Sequence, residues 1–179
     1  MSVPVLPQAK QLSEVPAGSV FGSYVGDIYS RFFRLPDISQ VDRIPVVSLG
    51  PEFGGLQDGA EQGPTIFLFE SDEYVVLESD TFIYPKITTS DSKRINPLMP
   101  GYFPLGAMVL AGDGKILLNC RSGHGKRALV NIETGVASGT ERTVAYYRNY
   151  VLIASDELGE KRIIFDSSLA TKPIAMATI

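Results

Sequence analysis

Short apolar segments separated by turn-forming residues occupy the chain from residue 65 to residue 165. These segments are rich in β-branched and aromatic residues, which fit the pleated surface of a sheet. No pattern of helical length alternates with them, so a parallel α/β fold is disfavoured. The predicted strands are residues 65–69, 74–78, 81–87, 107–111, 115–120, 128–132, 143–147, 150–155 and 161–165.

The turn-forming residues between these segments predict hairpins. Asp113 lies between two glycines, and an Asp-Gly pair supplies the positive φ that a tight turn needs. Residues 70–73 and 148–149 are each short enough to join the strands on either side as hairpins, and residues 156–159 turn the chain into its last strand. Strands joined by short turns form an antiparallel meander in which each pairs with its neighbour.

Nearer the N-terminus the apolar spacing differs. It recurs every three or four residues at Phe21, Val25, Ile28, Tyr29 and Phe32. This spacing predicts a short helix over residues 23–34, ended by Pro36. Residues 1–18 have no periodicity and are predicted to form an extended lead-in.

A long irregular connection is predicted over residues 36–64, interrupted by a short strand at 44–49. Residues 50–64 contain too many glycines for a helix and are predicted to form a glycine-rich loop. Loops of this length are uncommon in compact domains and often serve a function.

The predicted fold is therefore mainly β, an antiparallel meander of hairpins with one short N-terminal helix. The pattern leaves open whether the sheet stays open, forms a sandwich or closes into a barrel. The length of 179 residues favours one domain over residues 1–179.

Composition excludes several classes of protein. A single Cys and a single His exclude an internal disulfide, a thiolate metal cluster and a multi-histidine site, so we expect no metal and no cofactor. No secretory signal pattern and no apolar run of membrane-spanning length is present, so we expect a cytoplasmic protein without a membrane partner.

Charge is unevenly distributed along the chain. The net charge is −4, with 7 basic and 13 acidic side chains over residues 1–100, against 9 basic and 7 acidic over residues 101–179. An acidic chain disfavours nucleic acid as a partner, because phosphate neutralisation supplies most of that affinity. Its field suits a basic protein partner instead.

A cationic loop is predicted after the strand at 115–120. It contains Arg121, His124, Lys126 and Arg127 among glycines, which resembles part of a phosphate-binding loop. The full pattern would place Gly at Cys120 and Ser or Thr at Arg127, so a nucleotide site is disfavoured. The remaining interpretation is a loop that holds an anion or an acidic protein surface, against the simpler one of a solvated hairpin end.

Acidic side chains concentrate in Glu70, Asp72 and Glu73, with Glu78 and Asp80 at the end of the following strand. These groups lack the spacing of a calcium loop. We expect the first three to bind a basic partner.

Nucleophilic catalysis has one candidate pair, Cys120 and His124. Cys120 ends an apolar strand, where a free Cys is usually a small buried hydrophobe. No serine-hydrolase signature accompanies it, so the sequence leaves enzymatic activity undecided and inclines against it.

Elimination of these classes predicts a non-enzymatic protein-binding module, with an inhibitor or immunity-type protein acting on a basic partner as its concrete form. A second interpretation is a small hydrolase or transferase that uses carboxylates and the anion-holding loop at 121–127. A third is a structural subunit of a larger assembly, and self-association is left open.

Overall fold

The structure is a computed structural model and describes residues 9–37, 42–50, 63–87, 93–94, 103–122, 125–138, 143–156 and 158–170. Over these ranges the chain forms fifteen strands in three sheets, and every strand ladder is antiparallel. A 3-10 turn at Leu12–Glu14 and a short helix, α1 at Ser167–Ala170, complete the regular structure. The prediction of a β-rich antiparallel fold is confirmed.

The first sheet has six strands in the order β1-β6-β2-β3-β4-β5. Their bounds are β1 Ala9–Gln11, β2 Val20–Val25, β3 Ile28–Arg34, β4 Arg43–Ser48, β5 Ile66–Glu70 and β6 Tyr74–Leu77. In this order β5 is at one edge, and β6 is next to the other edge strand, β1, so that three strands separate β6 from β5. Nevertheless only three residues of the chain link β5 to β6. The sheet therefore curls, so that its two distant sides approach each other at this link.

The second sheet also has six strands, in the order β12-β11-β10-β9-β13-β8. Their bounds are β8 Lys93–Arg94, β9 Met108–Ala111, β10 Ile116–Arg121, β11 Arg127–Asn131, β12 Ala137–Ser138 and β13 Thr143–Tyr147. The third sheet has the order β15-β14-β7, with β7 Thr81–Pro85, β14 Tyr150–Ser155 and β15 Lys161–Asp166. Pro85 ends the edge strand β7, a position that tolerates its missing amide hydrogen.

Two main groups of buried side chains hold the sheets together. The curled first sheet encloses an aromatic core, in which Phe32 stacks on Phe21 with ring centroids 5.6 Å apart and meets Phe69 at 4.8 Å. The other group is shared by all three sheets. It includes Val20, Phe33 and Val47 from the first, Met108, Leu118 and Val130 from the second, and Ile83 and Leu152 from the third.

The helix predicted over residues 23–34 is wrong, because β2 and β3 form a hairpin there. Val25 pairs with Ile28, and the intervening Gly26 has φ +62°, which a two-residue hairpin turn requires. The spacing misled because the strands bury side chains on both faces, so apolar residues do not alternate. Phe21 and Phe32 instead pair across the two strands.

The hairpin predicted around residues 70–73 is also wrong. The chain does turn there, since the Glu73 amide donates to the Glu70 carbonyl at 3.3 Å. However, β5 pairs with β4, whereas β6 pairs with β1 and β2. The backbone carbonyls of Glu73 and Ser71 instead accept hydrogen bonds from the backbone amides of Leu12 and Ser13, respectively.

The hairpin predicted around residues 148–149 is wrong for a similar reason. These residues carry the chain from the second sheet to the third, where β14 lies between β7 and β15. That central position buries Tyr150, Val151 and Leu152. The hairpins β9–β10 and β14–β15 form as predicted.

Two other predicted segments lie partly outside the described residues. Of the lead-in at 1–18, residues 9–18 contain β1 and the 3-10 turn, and they bury Leu12 and Val15. Of the glycine-rich loop at 50–64, residues 51–62 lie outside the described ranges.

Candidate functional site

The predicted cationic loop lies at the end of the β10–β11 hairpin. Arg121 and Arg127 are the last residue pair of this antiparallel ladder, directly opposite each other. Directly opposed residues point to the same face, so the sheet geometry brings two guanidinium groups together. The Ser122 amide donates to the Lys126 carbonyl at 2.7 Å and closes the loop. His124 lies outside the described residues.

A groove of about 600 Å³ opens beside this hairpin end, between it and the start of β5. Thr65 forms a parallel bridge with Arg121, and the Arg121 amide donates to the Pro64 carbonyl at 2.8 Å. This contact ties the first sheet to the second at one end of the groove. The lining residues are Thr65, Ile66, Phe67, Leu105, Arg121, Ser122, Gly125 and Arg127.

Hydrogen bonds to the loop before β9 position one wall of the groove. Arg127 donates from Nη1 to the Phe103 carbonyl at 2.9 Å. The buried Asn119 donates from Nδ2 to the same carbonyl at 2.8 Å and to the Pro104 carbonyl at 2.9 Å. These bonds fix the backbone that carries Leu105, whose side chain forms an apolar part of the lining.

The groove offers positive charge, hydroxyl groups and apolar surface. The residues that line it within the described ranges include no Asp, Glu, His or Cys. The arginine guanidinium groups and the serine and threonine hydroxyl groups are donors that can bind an anion. Lys126 is exposed beside the loop and is not among the lining residues.

Cys120 lies in the core that the three sheets share and has no exposed surface. Its thiol contacts the Leu118 carbonyl at 3.5 Å, and burial raises the pKa of the thiol. A raised pKa removes the thiolate that a nucleophile requires. The structure therefore gives no support to catalysis by Cys120.

The predicted acidic residues lie at the corner between β5 and β6. Glu70 forms an ion pair with Arg43 at 2.8 Å, and Glu73 accepts a hydrogen bond from the Ser23 hydroxyl at 3.0 Å. Asp72 is exposed. Glu70 is at the opposite end of β5 from the groove, about 13 Å along the strand from Ile66. The acidic and cationic residues are thus two separate surfaces.

Sequence reasoning missed a surface on the outer side of the first sheet, next to this acidic corner. It consists of Tyr24, Tyr29 and Tyr74, here called the tyrosine face. Tyr24 pairs with Tyr29 across β2 and β3, and their rings meet edge to face at 5.2 Å. The signal in the sequence was the Gly26-Asp27 turn between aromatic residues, which favours a hairpin over a helix.

Tyr74 belongs to the same face because of the strand register. Gly22 of β2 pairs with Val76 of β6, and side chains alternate along each strand. Tyr24 lies two residues after Gly22, and Tyr74 lies two residues before Val76. Because the strands are antiparallel, the two tyrosines are at the same end of the sheet and point to the same side. Each of these two tyrosines is 68% exposed.

Tyr29 lies flat against the sheet, across Gly22. A Cβ atom at Gly22 would stand 1.8 Å from the Tyr29 hydroxyl oxygen, so only glycine admits this position of the ring. The hydroxyl donates to Glu78 at 2.8 Å, and Glu78 also accepts from Arg31 at 2.9 Å. Burial, followed by the bond to Glu78 and its negative charge, raises the pKa of Tyr29. The ring is therefore a neutral part of the surface at physiological pH.

Groups of three or more His, Cys, Asp or Glu side chains that could hold a metal ion do not occur within the described ranges. Among the same residues, no helix has the length and apolar character to span a membrane.

Comparison with known proteins gives no assignment: no protein-family model matches the chain, and no curated protein or solved structure matches it either.

Proposed function

We propose that the protein is a non-enzymatic recognition module that binds a basic segment of a partner protein on the tyrosine face. The observation that carries this proposal is the exposure of Tyr24 and Tyr74, each at 68%, on one side of the first sheet. Exposed tyrosines on a fixed scaffold provide a large contact area with little loss of side-chain entropy on binding.

The aromatic rings suit a cationic partner. A lysine or arginine side chain is attracted to the face of an aromatic ring, with about 0.5–1 kcal/mol gained at an exposed site. The same geometry already occurs inside the protein, where Arg31 lies 5.6 Å from the centroid of the Tyr29 ring.

The surrounding charge supports the same choice of partner. Residues 9–37, 42–50 and 63–80, which include the whole first sheet, carry 9 acidic and 4 basic side chains. Asp72 is exposed two residues before Tyr74, and Asp27 is exposed in the turn after Tyr24. An acidic field of this kind speeds encounter with a basic partner and disfavours acidic ones.

An inhibitor or immunity-type protein that covers a basic surface is one form of this proposal, and the cytoplasm is its proposed compartment. The hydrolase or transferase interpretation has less support, because the described lining of the groove supplies no carboxylate. The interpretation as a structural subunit predicts self-association that depends on protein concentration.

The test is binding of a fluorescein-labelled peptide of alternating Lys and Ser, followed by fluorescence anisotropy. We expect the peptide to bind at low salt and a matched peptide of alternating Glu and Ser not to bind. Replacing both tyrosines, Tyr24→Ala and Tyr74→Ala, is expected to weaken binding by about five- to thirtyfold, since two cation–π contacts are lost.

Tyr84→Ala is the matched control, because Tyr84 is an exposed tyrosine on the third sheet at 38%. It is expected to leave the affinity unchanged. Asp72→Asn is expected to slow association at low salt, and the difference should disappear as salt screens the charge. Equal binding by the double tyrosine variant and the native protein would contradict the proposal.

A further inference from the structure

We infer that the groove between β5 and the end of the β10–β11 hairpin binds an organic anion, a carboxylate or phosphate joined to an apolar group. This inference concerns a surface other than the tyrosine face. It does not depend on the function proposed above.

The charge in the groove comes from two arginines in a fixed relation. Arg121 and Arg127 are opposite each other in the ladder, so their Cβ atoms are about 4.5–5.5 Å apart. Both side chains line the groove. Arginine presents a planar set of donors that matches the oxygen atoms of a carboxylate or phosphate, so an anion here meets two such groups at once.

The site is held in place before any ligand arrives. The hydrogen bond from Arg127 to the Phe103 carbonyl orients the guanidinium. The backbone of Arg121 is fixed by its bond to Pro64 and its bridge with Thr65. A preorganised site loses less entropy on binding than a flexible one does.

The remaining lining specifies the rest of the ligand. Ile66 and Phe67 are half-buried and Leu105 is buried, so an apolar group of the ligand contacts carbon atoms there. Ser122 supplies a hydroxyl group near the arginines. A volume of about 600 Å³ lies within the range of about 300–1,000 Å³ that is typical of small-molecule sites.

The charge of the surrounding sheet also favours an anion. Residues 93–94, 103–122, 125–138 and 143–147, which include the whole second sheet, carry 6 basic and 2 acidic side chains. No acidic side chain belongs to the described lining, so the groove does not suit a cation or a metal ion.

The probe for the full-length protein is 1-anilinonaphthalene-8-sulfonate, an organic anion with an apolar ring system and fluorescence that rises on binding. We expect saturable binding that benzoate and phenyl phosphate displace. Benzyl alcohol lacks the charge and inorganic phosphate lacks the apolar group, so each should compete at least tenfold more weakly. Comparison of benzoate with phenyl phosphate shows which anionic group the site prefers.

Arg121→Gln and Arg127→Gln are each expected to weaken binding of the probe by about tenfold or more, because each removes charge-assisted hydrogen bonds. Lys126→Gln is the matched control. It removes a positive charge from the same loop without touching the lining, and its effect should stay within about twofold.

Arg127→Lys keeps the charge and tests the site if a Gln variant fails to fold, as judged by far-UV circular dichroism. Its affinity should fall between those of the native protein and Arg127→Gln. Unchanged probe binding in all of the folded arginine variants would overturn the inference. So would displacement by benzyl alcohol as effective as that by benzoate, or displacement by inorganic phosphate as effective as that by phenyl phosphate.

Discussion

The first and second sheets carry opposite net charge, and their charged side chains make different contacts. In the first, carboxylates are engaged by neighbours on the same sheet, as Glu78 is by Tyr29 and Arg31. In the second, Arg121 and Arg127 meet at a strand end beside a groove. The contrast teaches that the charge of a region does not by itself locate its binding surface. In the acidic region the exposed tyrosine rings are the proposed contact groups, whereas in the basic region two charged side chains line the groove.

The two sheets differ in their packing as well. The first encloses an aromatic core of its own, and the second has a smaller cluster that includes Val109, Leu117 and Leu129. Both also contribute to the group of buried side chains that the third sheet completes. Substitutions in each sheet test how independent the sheets are, and they are given from the largest expected change in stability to the smallest.

The largest effects on stability are expected from truncating a buried side chain in each of the two separate cores. Phe21→Ala should lower the free energy of unfolding by about 3–5 kcal/mol, and Leu117→Ala by about 2–5 kcal/mol, because each fully buried side chain leaves a cavity. Urea unfolding followed by both circular dichroism and tyrosine fluorescence measures each change.

If residues 1–179 form one domain, each substitution shifts a single transition that both signals report together. Two separate transitions, only one of which moves in each variant, would show that the sheets unfold independently. That result would break the prediction of one domain.

An intermediate effect is expected from the third sheet. Lys86 directly follows β7 and Asp166 ends β15, the two strands that flank β14, and their side chains form an ion pair at 2.6 Å. Burial alone would raise the pKa of Asp166, but hydrogen bonds from Lys86 and Ser168 outweigh it and hold the pKa below its ordinary value. Asp166→Asn should therefore cost about 1–2 kcal/mol at neutral pH.

The contribution of Asp166 to stability should decrease at acid pH. Stability from a lowered pKa is fully present above the unfolded value of about 3.9 and is lost as pH falls through the lower folded value. The difference between the native protein and Asp166→Asn should shrink over that acid range, as measured by urea unfolding at a series of pH values. A difference that is constant from neutral pH to below pH 3 would contradict the assignment.

The smallest effect concerns the outer side of the first sheet. Gly22→Ala should displace the Tyr29 ring and break its bond to Glu78, at a cost of about 1 kcal/mol. In a Tyr29→Ala background the same substitution should be neutral or slightly stabilising, because alanine suits a strand better than glycine does.

This double-mutant cycle separates the ring from the backbone. Equal costs of Gly22→Ala in the two backgrounds would show that contact with Tyr29 is not the reason for glycine at this position. If the costs differ, Gly22→Ala displaces the Tyr29 ring, and peptide binding by this variant shows whether Tyr24 and Tyr74 act without their neighbour.

The sequence allowed most strands to be predicted, because turn residues such as Asp113 and Gly114 interrupt short apolar segments. Pairing was predicted well only where it is local, as in β9–β10. The chain turns at residues 70–73 and bends at residue 148, but the adjoining strands pair with other strands instead of with each other. Nothing local in the sequence encodes that choice, since it depends on which faces become buried when the sheets pack.

The candidate sites show the same division. Arg121 and Arg127 were identified from the sequence as a cationic loop, because both lie on one hairpin. The groove beside them needs Ile66 and Phe67 from a distant strand, and its existence follows only from the bridge between Thr65 and Arg121. The tyrosine face was missed because a helical interpretation of residues 23–34 separated Tyr24 from Tyr29.

The pairing of β1 with β6 has a consequence for how the chain folds. Ala9 finds its partner at Val76, so the curled sheet cannot be completed during synthesis until residue 77 has emerged. Strands β9 to β11, by contrast, meet neighbours a few residues away and can pair as soon as they appear. High sequence separation slows folding, so closure of the first sheet is expected to be slower than pairing of these local strands. Until then, the aromatic side chains around Phe21 remain exposed to water and to other chains.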